Sequence, residues 1–278
     1  MNTINGDNVL YHYIQKHLLN EPDLAAALIE KLIFNLSIWL PSTLYEELPI
    51  ILPFVVRDPT CRKRNKDQEE EWGSANELGF FRDDNSLIKG IPRSFQIQSG
   101  KIKQYKNKKL GTGFTSCHIW RVIDFNGSEI ISNRHHSFNS FIPNIVWLPR
   151  QIAKLTDHDG SIAQKVLQAT SYKYYRDVTM PEEIKSLWKY LPYPREYRKL
   201  ETSIDEMNFF KIREEWIKRR KTQLKKEINK ILSIGEHYDP SMGKVKCRRY
   251  LQTLSTIPIE NRRYLINHLK NYKEMLRL

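Results

Sequence analysis

Between Ile204 and Ile234 the chain carries its strongest periodic signal. Phe209, Ile212, Trp216, Leu224, Ile228 and Ile231 recur at three- and four-residue steps, the spacing that gathers apolar side chains on one face of an α-helix. Lys218, Arg219, Arg220, Lys221, Lys225 and Lys226 fall largely elsewhere on the wheel. Gly235 follows, where a C-terminal cap is expected. Six cations within nine positions fit a basic helix lying along a phosphate backbone. They also fit an amphipathic helix with a solvated face.

The wider charge distribution favours the first reading. The 278 residues hold 45 Lys and Arg against 32 Asp and Glu, a net of +13. Residues 181–278 hold 23 of those cations and 13 of those acids, so +10 lies there and +3 in the rest. Clustered positive charge is the footprint of a polyanion, because each neutralised phosphate releases condensed counterions. A chain with 40% hydrophobic residues can build a core. Its longest apolar stretches, such as Pro49 to Val56, fall far short of the ~20 residues that span a bilayer, so no membrane partner is expected. Met1–Asp7 shows no basic segment leading into an apolar one, so no secretory signal is expected. Cys61, Cys117 and Cys247 are too few and too scattered for a disulfide framework or a thiolate zinc finger. A cytoplasmic location is the corresponding expectation.

Three regions differ in character. Residues 8–58 read as helical, with Leu24, Leu28, Leu32 and Leu36 at helical spacing until Pro41, a face suited to scaffold or dimer contact. Residues 61–72 place a basic run before an acidic one, as in an exposed loop. From Trp72 to about Tyr175, β-like runs at Ser94–Ile97, Thr115–Val122 and Ile145–Leu148 alternate with Gly, Asn, Asp and Ser. Ser161–Arg176 reads as a helix. The expected domains are therefore a helical region over 1–60, an α+β core over 72–178 and a basic helical region over 181–278. Lys101, Lys103, Lys106, Lys108 and Lys109 alternate with Ile102, Tyr105 and Asn107, the pattern of a basic hairpin suited to phosphate contact. Asp83-Asp84-Asn85 fits a turn, a carboxylate pair on a metal, or a base-reading loop. Gly111-Thr112-Gly113 lacks the GK[ST] ending of a phosphate loop.

The chemistry-bearing residues concentrate in the centre. His118, His135 and His136 lie within 19 positions, and His158 follows. Cys117-His118-Ile119 and, further on, Asn144-Ile-Val-Trp-Leu148-Pro149 bracket a loop, with Arg150–Asp157 beyond. Over about residues 115–175 this resembles the HNH, or ββα-metal, nuclease family, in which strand, loop, strand and helix assemble one metal-dependent site. The resemblance implies an α+β fold with a central ββα-metal-type core. It implies divalent-metal-dependent hydrolysis of DNA, with Mg²⁺ as the metal and His118 as general base. A neutral imidazole suits that role at pH 7 if one tautomer is held. Asn144 would orient it, with Asn139 as the runner-up.

The family's second metal ligand would fall near Ile152 and Ala153, which cannot serve. The nearest candidates are Asp157 and His158, with His136, Asp159 or Asp124 as further donors. Lys101, Lys103, Lys106, Lys108, Lys109, Arg219, Arg220, Lys221 and Lys225 are the expected contacts to double-stranded DNA. By analogy with stand-alone restriction endonucleases, a symmetric homodimer is expected. Two alternatives remain open: a non-catalytic nucleic-acid-binding protein, and a PD-(D/E)xK nuclease built on Glu183-Ile184-Lys185.

Overall fold

A computed structural model of the protein describes residues 22–58, 78–194, 203–236, 245–247, 250–252 and 259–278. The fold is α+β. Its centre is a five-stranded sheet. Across it run Gln96–Gln98 (β4), Asn208–Lys211 (β9), Ile38–Trp39 (β1), Ile145–Pro149 (β8) and Phe114–His118 (β5). Ile145, Val146, Trp147 and Leu148 are all buried. An unalternated apolar run suits a strand covered on both faces. β8 pairs antiparallel with β5, from Phe114 opposite Pro149 to His118 opposite Ile145. On its other side it meets β1 at Ile38 opposite Trp147. β1 runs parallel to β9, and β9 antiparallel to β4.

This sheet takes strands from all three regions of the sequence. Of the expected helical residues 8–58, those described are helical only in part. Pro22–Leu36 (α1) and Ser42–Glu47 (α2) are helices. Ser37 ends α1 by donating its hydroxyl to Phe34 O at 3.0 Å. Ile38 and Trp39 then enter the sheet, where both are fully buried. Val55–Arg57 (β2) pairs in parallel with Phe81–Asp83 (β3). Helical spacing of leucines thus predicts α1 but not its neighbours, because sheet pairing with distant strands overrides local preference. The charged break at 61–72 lies outside the described residues.

Past β3, Asp83-Asp84-Asn85 is a turn that caps Ser86–Gly90 (α3). Asp83 accepts from Ser86 Oγ at 2.7 Å and from Leu87 N at 2.9 Å, and Asp84 accepts from Ser86 N at 3.1 Å. Its buried carboxylate is occupied by this cap, not turned to a metal. The expected basic hairpin at Lys101–Lys109 is a turn-rich loop. It bridges to β4 at Lys106 and Lys109, and buried Tyr105 anchors it by donating to Leu36 O at 3.3 Å.

β5 ends at His118. The predicted run to Val122 breaks there, and Val122–Phe125 (β6) pairs with Ser128–Ile131 (β7) in a separate hairpin. Asn126 and Gly127 both have positive φ, 55° and 81°, as the two-residue turn of such a hairpin requires. His136–Asn139 (α4) and Arg150–Ala153 (α5) are single turns. Ile162–Tyr175 (α6) begins where the sequence suggests, with Ser161 Oγ accepting from Gln164 N at 3.2 Å. It packs on α1, and Tyr175 donates to Leu40 O at 2.5 Å. Glu182–Lys185 (α7) is another single turn, behind Pro181.

The periodic segment from Ile204 also divides. β9 comes first, with Phe210 edge-to-face on Trp147 at 5.3 Å. The helix Glu214–Glu236 (α8) starts only afterwards. Val245–Cys247 (β10) and Tyr250–Gln252 (β11) form a small antiparallel pair, and Ile259–Met275 (α9) packs on α8. Gly235 lies inside α8 and does not cap it. A Cβ there would stand 2.8 Å from Ile266 of α9, so the glycine permits the helices' close approach.

Asn208 ties β9 to the junction of α1 with β1 and to the residue after β4. Its Nδ2 donates to Asn35 O at 2.7 Å and Ser37 O at 3.0 Å, and its Oδ1 accepts from Ser99 Oγ at 2.5 Å, the last two bonds buried and the first part-buried. Asn208→Ala leaves those groups unmatched. It is expected to lower unfolding free energy by roughly 2–4 kcal/mol in urea denaturation. Lys211→Ala, exposed on the same strand, is expected to shift it by less than about 0.5 kcal/mol.

Candidate functional site

His118 is the last residue of β5, at the point where β5 and β8 stop pairing. The chain from Ile119 to Asn144 makes an excursion through the β6–β7 hairpin and α4 before returning. Asn144 closes it. Its Oδ1 accepts from Trp120 N at 2.8 Å, and its Nδ2 donates to Ser132 Oγ at 3.2 Å and Phe138 O at 3.1 Å. The side chain is fully buried. Next to Phe138, Asn139 turns its own carbonyl to His118 Nε2 at 2.8 Å, while its Nδ2 donates to Val55 O at 2.9 Å. A carbonyl only accepts, so Nε2 carries the proton and Nδ1 is the basic atom of the neutral ring. Burial pushes the His118 pKa down to about 4, with the Asn139 carbonyl opposing that shift and the Arg57 charge adding to it.

His118 borders a cavity of about 380 Å³. Its wall carries four cations, Arg57, Arg121, Arg150 and Lys154, against one carboxylate, Asp157. Arg121 Nη1 is buried with no hydrogen-bond partner. Lys154 and Asp157 stand 3.8 Å apart in a half-exposed pair. Asn85 reaches the same cavity from the N-terminus of α3, held at φ 77°. Its Nδ2 donates to Ser116 Oγ at 3.0 Å, and its Oδ1 is buried without a partner. Cys117 also lines the wall, but burial pushes its thiol up to about 12, so it stays protonated and unreactive. A cavity with this excess of guanidinium and ammonium groups suits a phosphate-sized anion.

The sequence-expected residues fare differently. His118 and Asp157 share the cavity. Asn139 holds the imidazole directly through its carbonyl, and Asn144 acts one residue further back. His158 is exposed and does not line this cavity. His136 is not brought here at all. Its ring is buried and stacked on Phe80, with centroids 4.2 Å apart and planes 4° from parallel. His135 and His268 each lie 4.2 Å from it. With Tyr264 OH at 3.4 Å from its Nε2 as well, it serves as one ring of an aromatic and imidazole cluster. Asp159 accepts from Gln164 Nε2, and Asp124 caps the Asn126-Gly127 turn. Among the described residues no group of three or more His, Cys, Asp or Glu side chains is placed to hold a metal. Glu183-Ile184-Lys185 lies in the helical turn α7, not on a strand.

Of the expected DNA contacts, Lys103, Lys106, Lys108, Lys109, Arg219 and Lys225 are exposed. Lys101 pairs with Glu206 at 2.6 Å, and Lys221 with Glu47. Arg220 is a correction. It is only 5% exposed, pairs with Glu227 at 3.3 Å and donates to Ile51 O at 2.9 Å. It falls on the inward side of α8 and serves as a buried brace, not a phosphate contact.

Sequence reasoning missed Arg57, Arg121 and Arg150 as site residues, and it named Asn85 only within the Asp83-Asp84-Asn85 cluster. Arg121 and Arg150 flank the quoted motif and could have been noticed beside it. Nothing local marks Arg57, which arrives through the parallel pairing of β2 and β3. Comparisons with protein-family models, characterised proteins and solved structures find no match to this chain.

Two buried imidazoles, His118 and His136, and two half-buried ones, His135 and His268, make the fold acid-sensitive. Burial lowers His118, His135 and His268 to about 4, and His136 further. An unfolded histidine titrates near 6.5, so the unfolded chain takes up these protons first. Stability is full above about pH 6.5 and is lost as pH falls toward 4. Urea midpoints at pH 7.5 and pH 5 are expected to show this loss. His136→Phe, which keeps the ring against Phe80, is expected to flatten it.

Proposed function

We propose that the chain is a DNA endonuclease of the restriction type, hydrolysing phosphodiesters with His118 as general base. One observation carries the reading: a buried imidazole, fixed in one tautomer by a backbone carbonyl, borders a cavity lined by four cations and one carboxylate among the described residues. β5 and β8 pair antiparallel and the single turn α5 follows them, and the reading takes these as counterparts of the strands and helix of ββα-metal nucleases. That likeness supports the reading and belongs to it. A symmetric homodimer acting on a palindrome in the cytoplasm completes the proposal. No helix among the described residues is long and apolar enough to cross a membrane.

The oxygen donors on the cavity fit a hydrated Mg²⁺ in a limited way. The Asp157 carboxylate and the unpartnered Asn85 Oδ1 are hard donors, and Mg²⁺ retains waters and shares ligands with substrate phosphates. When bound it would neutralise charge on the phosphate. Arg57, Arg121 and Arg150 bind and orient the diester anion. His118 Nδ1 takes a proton from the attacking water, whose oxygen joins phosphorus as the bond to the leaving sugar oxygen breaks. Asn139 and Asn144 are positioning residues, keeping Nε2 on its carbonyl so that Nδ1 stays available. The phosphate's negative charge favours the imidazolium, which raises the pKa of His118 from its depressed value as substrate enters.

Supercoiled plasmid with Mg²⁺ provides the test. The wild type is expected to yield discrete fragments. His118→Ala is expected to cut at least about 100-fold more slowly while binding DNA as before, and EDTA to stop the reaction. Binding without cleavage by the wild type in any divalent metal would sink the nuclease reading and leave a non-catalytic DNA-binding protein. Because His118 is neutral above about pH 4, the acid limb of kcat/KM is expected below pH 6.5. Arg219→Ala and Lys106→Ala are each expected to lower the slope of log K against log salt by about 1, measured by filter binding.

A further inference from the structure

A second cleft, of about 710 Å³, lies between α3 with the turn that follows it and α8. Leu87, Ile91 and Trp216 supply its apolar lining. Trp216 is braced edge-to-face on Phe95 at 4.8 Å, so its ring is fixed before anything binds. Arg93 and Arg219 line the cleft, both exposed and neither in an ion pair with a described residue. Gln223 adds an amide one helical turn beyond Arg219. Arg220 forms part of the cleft floor, buried, with its charge paired to Glu227 and its Nη2 donated to Ile51 O. No carboxylate among the described residues lines the cleft.

Apolar and aromatic surface beside unpaired guanidinium groups matches a ligand that is flat and apolar at one end and anionic at the other. A nucleotide has that form: a base with a π-face and a phosphate. The position of the cleft agrees with this. α3 is a helix of five residues, about 7 Å long. Asn85 at its start lines the His118 cavity, while Ser86, Leu87 and Gly90 line the cleft. A strand whose phosphate enters the first could place a neighbouring nucleotide in the second.

We propose that this cleft is a nucleotide subsite, taking a base against Leu87, Ile91 and Trp216 and its phosphate on Arg93 and Arg219. The choice of nucleotide over other anionic aromatics rests on the nucleic-acid reading above. The nucleotide comes either from an unpaired position in a DNA strand or free from solution.

Calorimetric titration at low salt with dAMP, deoxyadenosine and inorganic phosphate separates the parts. The full chain is expected to bind dAMP more tightly than either fragment. Arg219→Glu, an exposed change that leaves the fold intact, is expected to weaken dAMP at least tenfold. Trp216→Leu is expected to weaken it about tenfold through the lost stacking. Equal affinity for dAMP and phosphate, or dAMP binding untouched by Arg219→Glu, overturns the proposal. Duplexes carrying 2-aminopurine, paired or unpaired, then distinguish the sources. Quenching of the unpaired base places a strand nucleotide in the cleft, and binding of dAMP alone makes the ligand a free nucleotide. His118→Ala keeps this subsite whole, so dAMP binding by that variant is read without cleavage. Loss of the nuclease reading with dAMP binding retained leaves the subsite standing, and the reverse outcome removes it alone.

Discussion

The Asn144 side chain holds together everything that matters at the candidate site. It sits at zero exposure and joins three separate stretches of the excursion between β5 and β8, through Trp120 N, Ser132 Oγ and Phe138 O. A buried amide with its hydrogen bonds made fixes a loop strongly, because any rearrangement strands polar groups away from water. Phe138 is followed by Asn139, so the position of the His118 imidazole depends on this staple at one remove. Val55 holds Asn139 from the other side. β2, the loop and the sheet therefore meet at one ring.

The same construction explains why His118 is buried beside a cationic cavity. β8 is buried along Ile145–Leu148, and its pairing with β5 draws His118 down to 6% exposure. Arg57 comes to the cavity at the end of β2, Arg121 just past His118, and Arg150 and Lys154 from α5 and the turn after it. Neutral imidazole is the form that this environment tolerates, since both burial and the Arg57 charge disfavour the imidazolium. The protein thereby keeps a proton acceptor beside groups that attract anions.

Histidine plays two unrelated parts in one short stretch. His118 borders a polar cavity. His136, eighteen residues later, is stacked on Phe80 and shares an aromatic cluster with His268 of α9 and His135. Residue type and proximity in sequence do not separate these parts. What separates them is which distant element arrives: α9 covers His136, and cations surround His118. The basic residues of α8 divide in the same way. Both Arg219 and Arg220 line the cleft beside α3, but Arg219 is exposed whereas Arg220 is buried and paired with Glu227.

Local signals survived where local physics was decisive. The apolar run Ile145–Leu148, the helix from Ser161 and the charge bias toward the C-terminal third all follow from side-chain chemistry over a few positions. The Asn126-Gly127 turn is as local, but it went unread behind the β-like run Thr115–Val122. By itself the sequence determined an α+β chain with an apolar central strand, a basic C-terminal region and a small set of histidines and asparagines worth testing. Tertiary structure alone decided that strands from the two ends enter the central sheet, that Gly235 yields to Ile266 instead of capping a helix, and that Arg57 joins His118. Each of these depends on pairing or packing between residues far apart in the chain, which no periodicity or motif within one segment encodes.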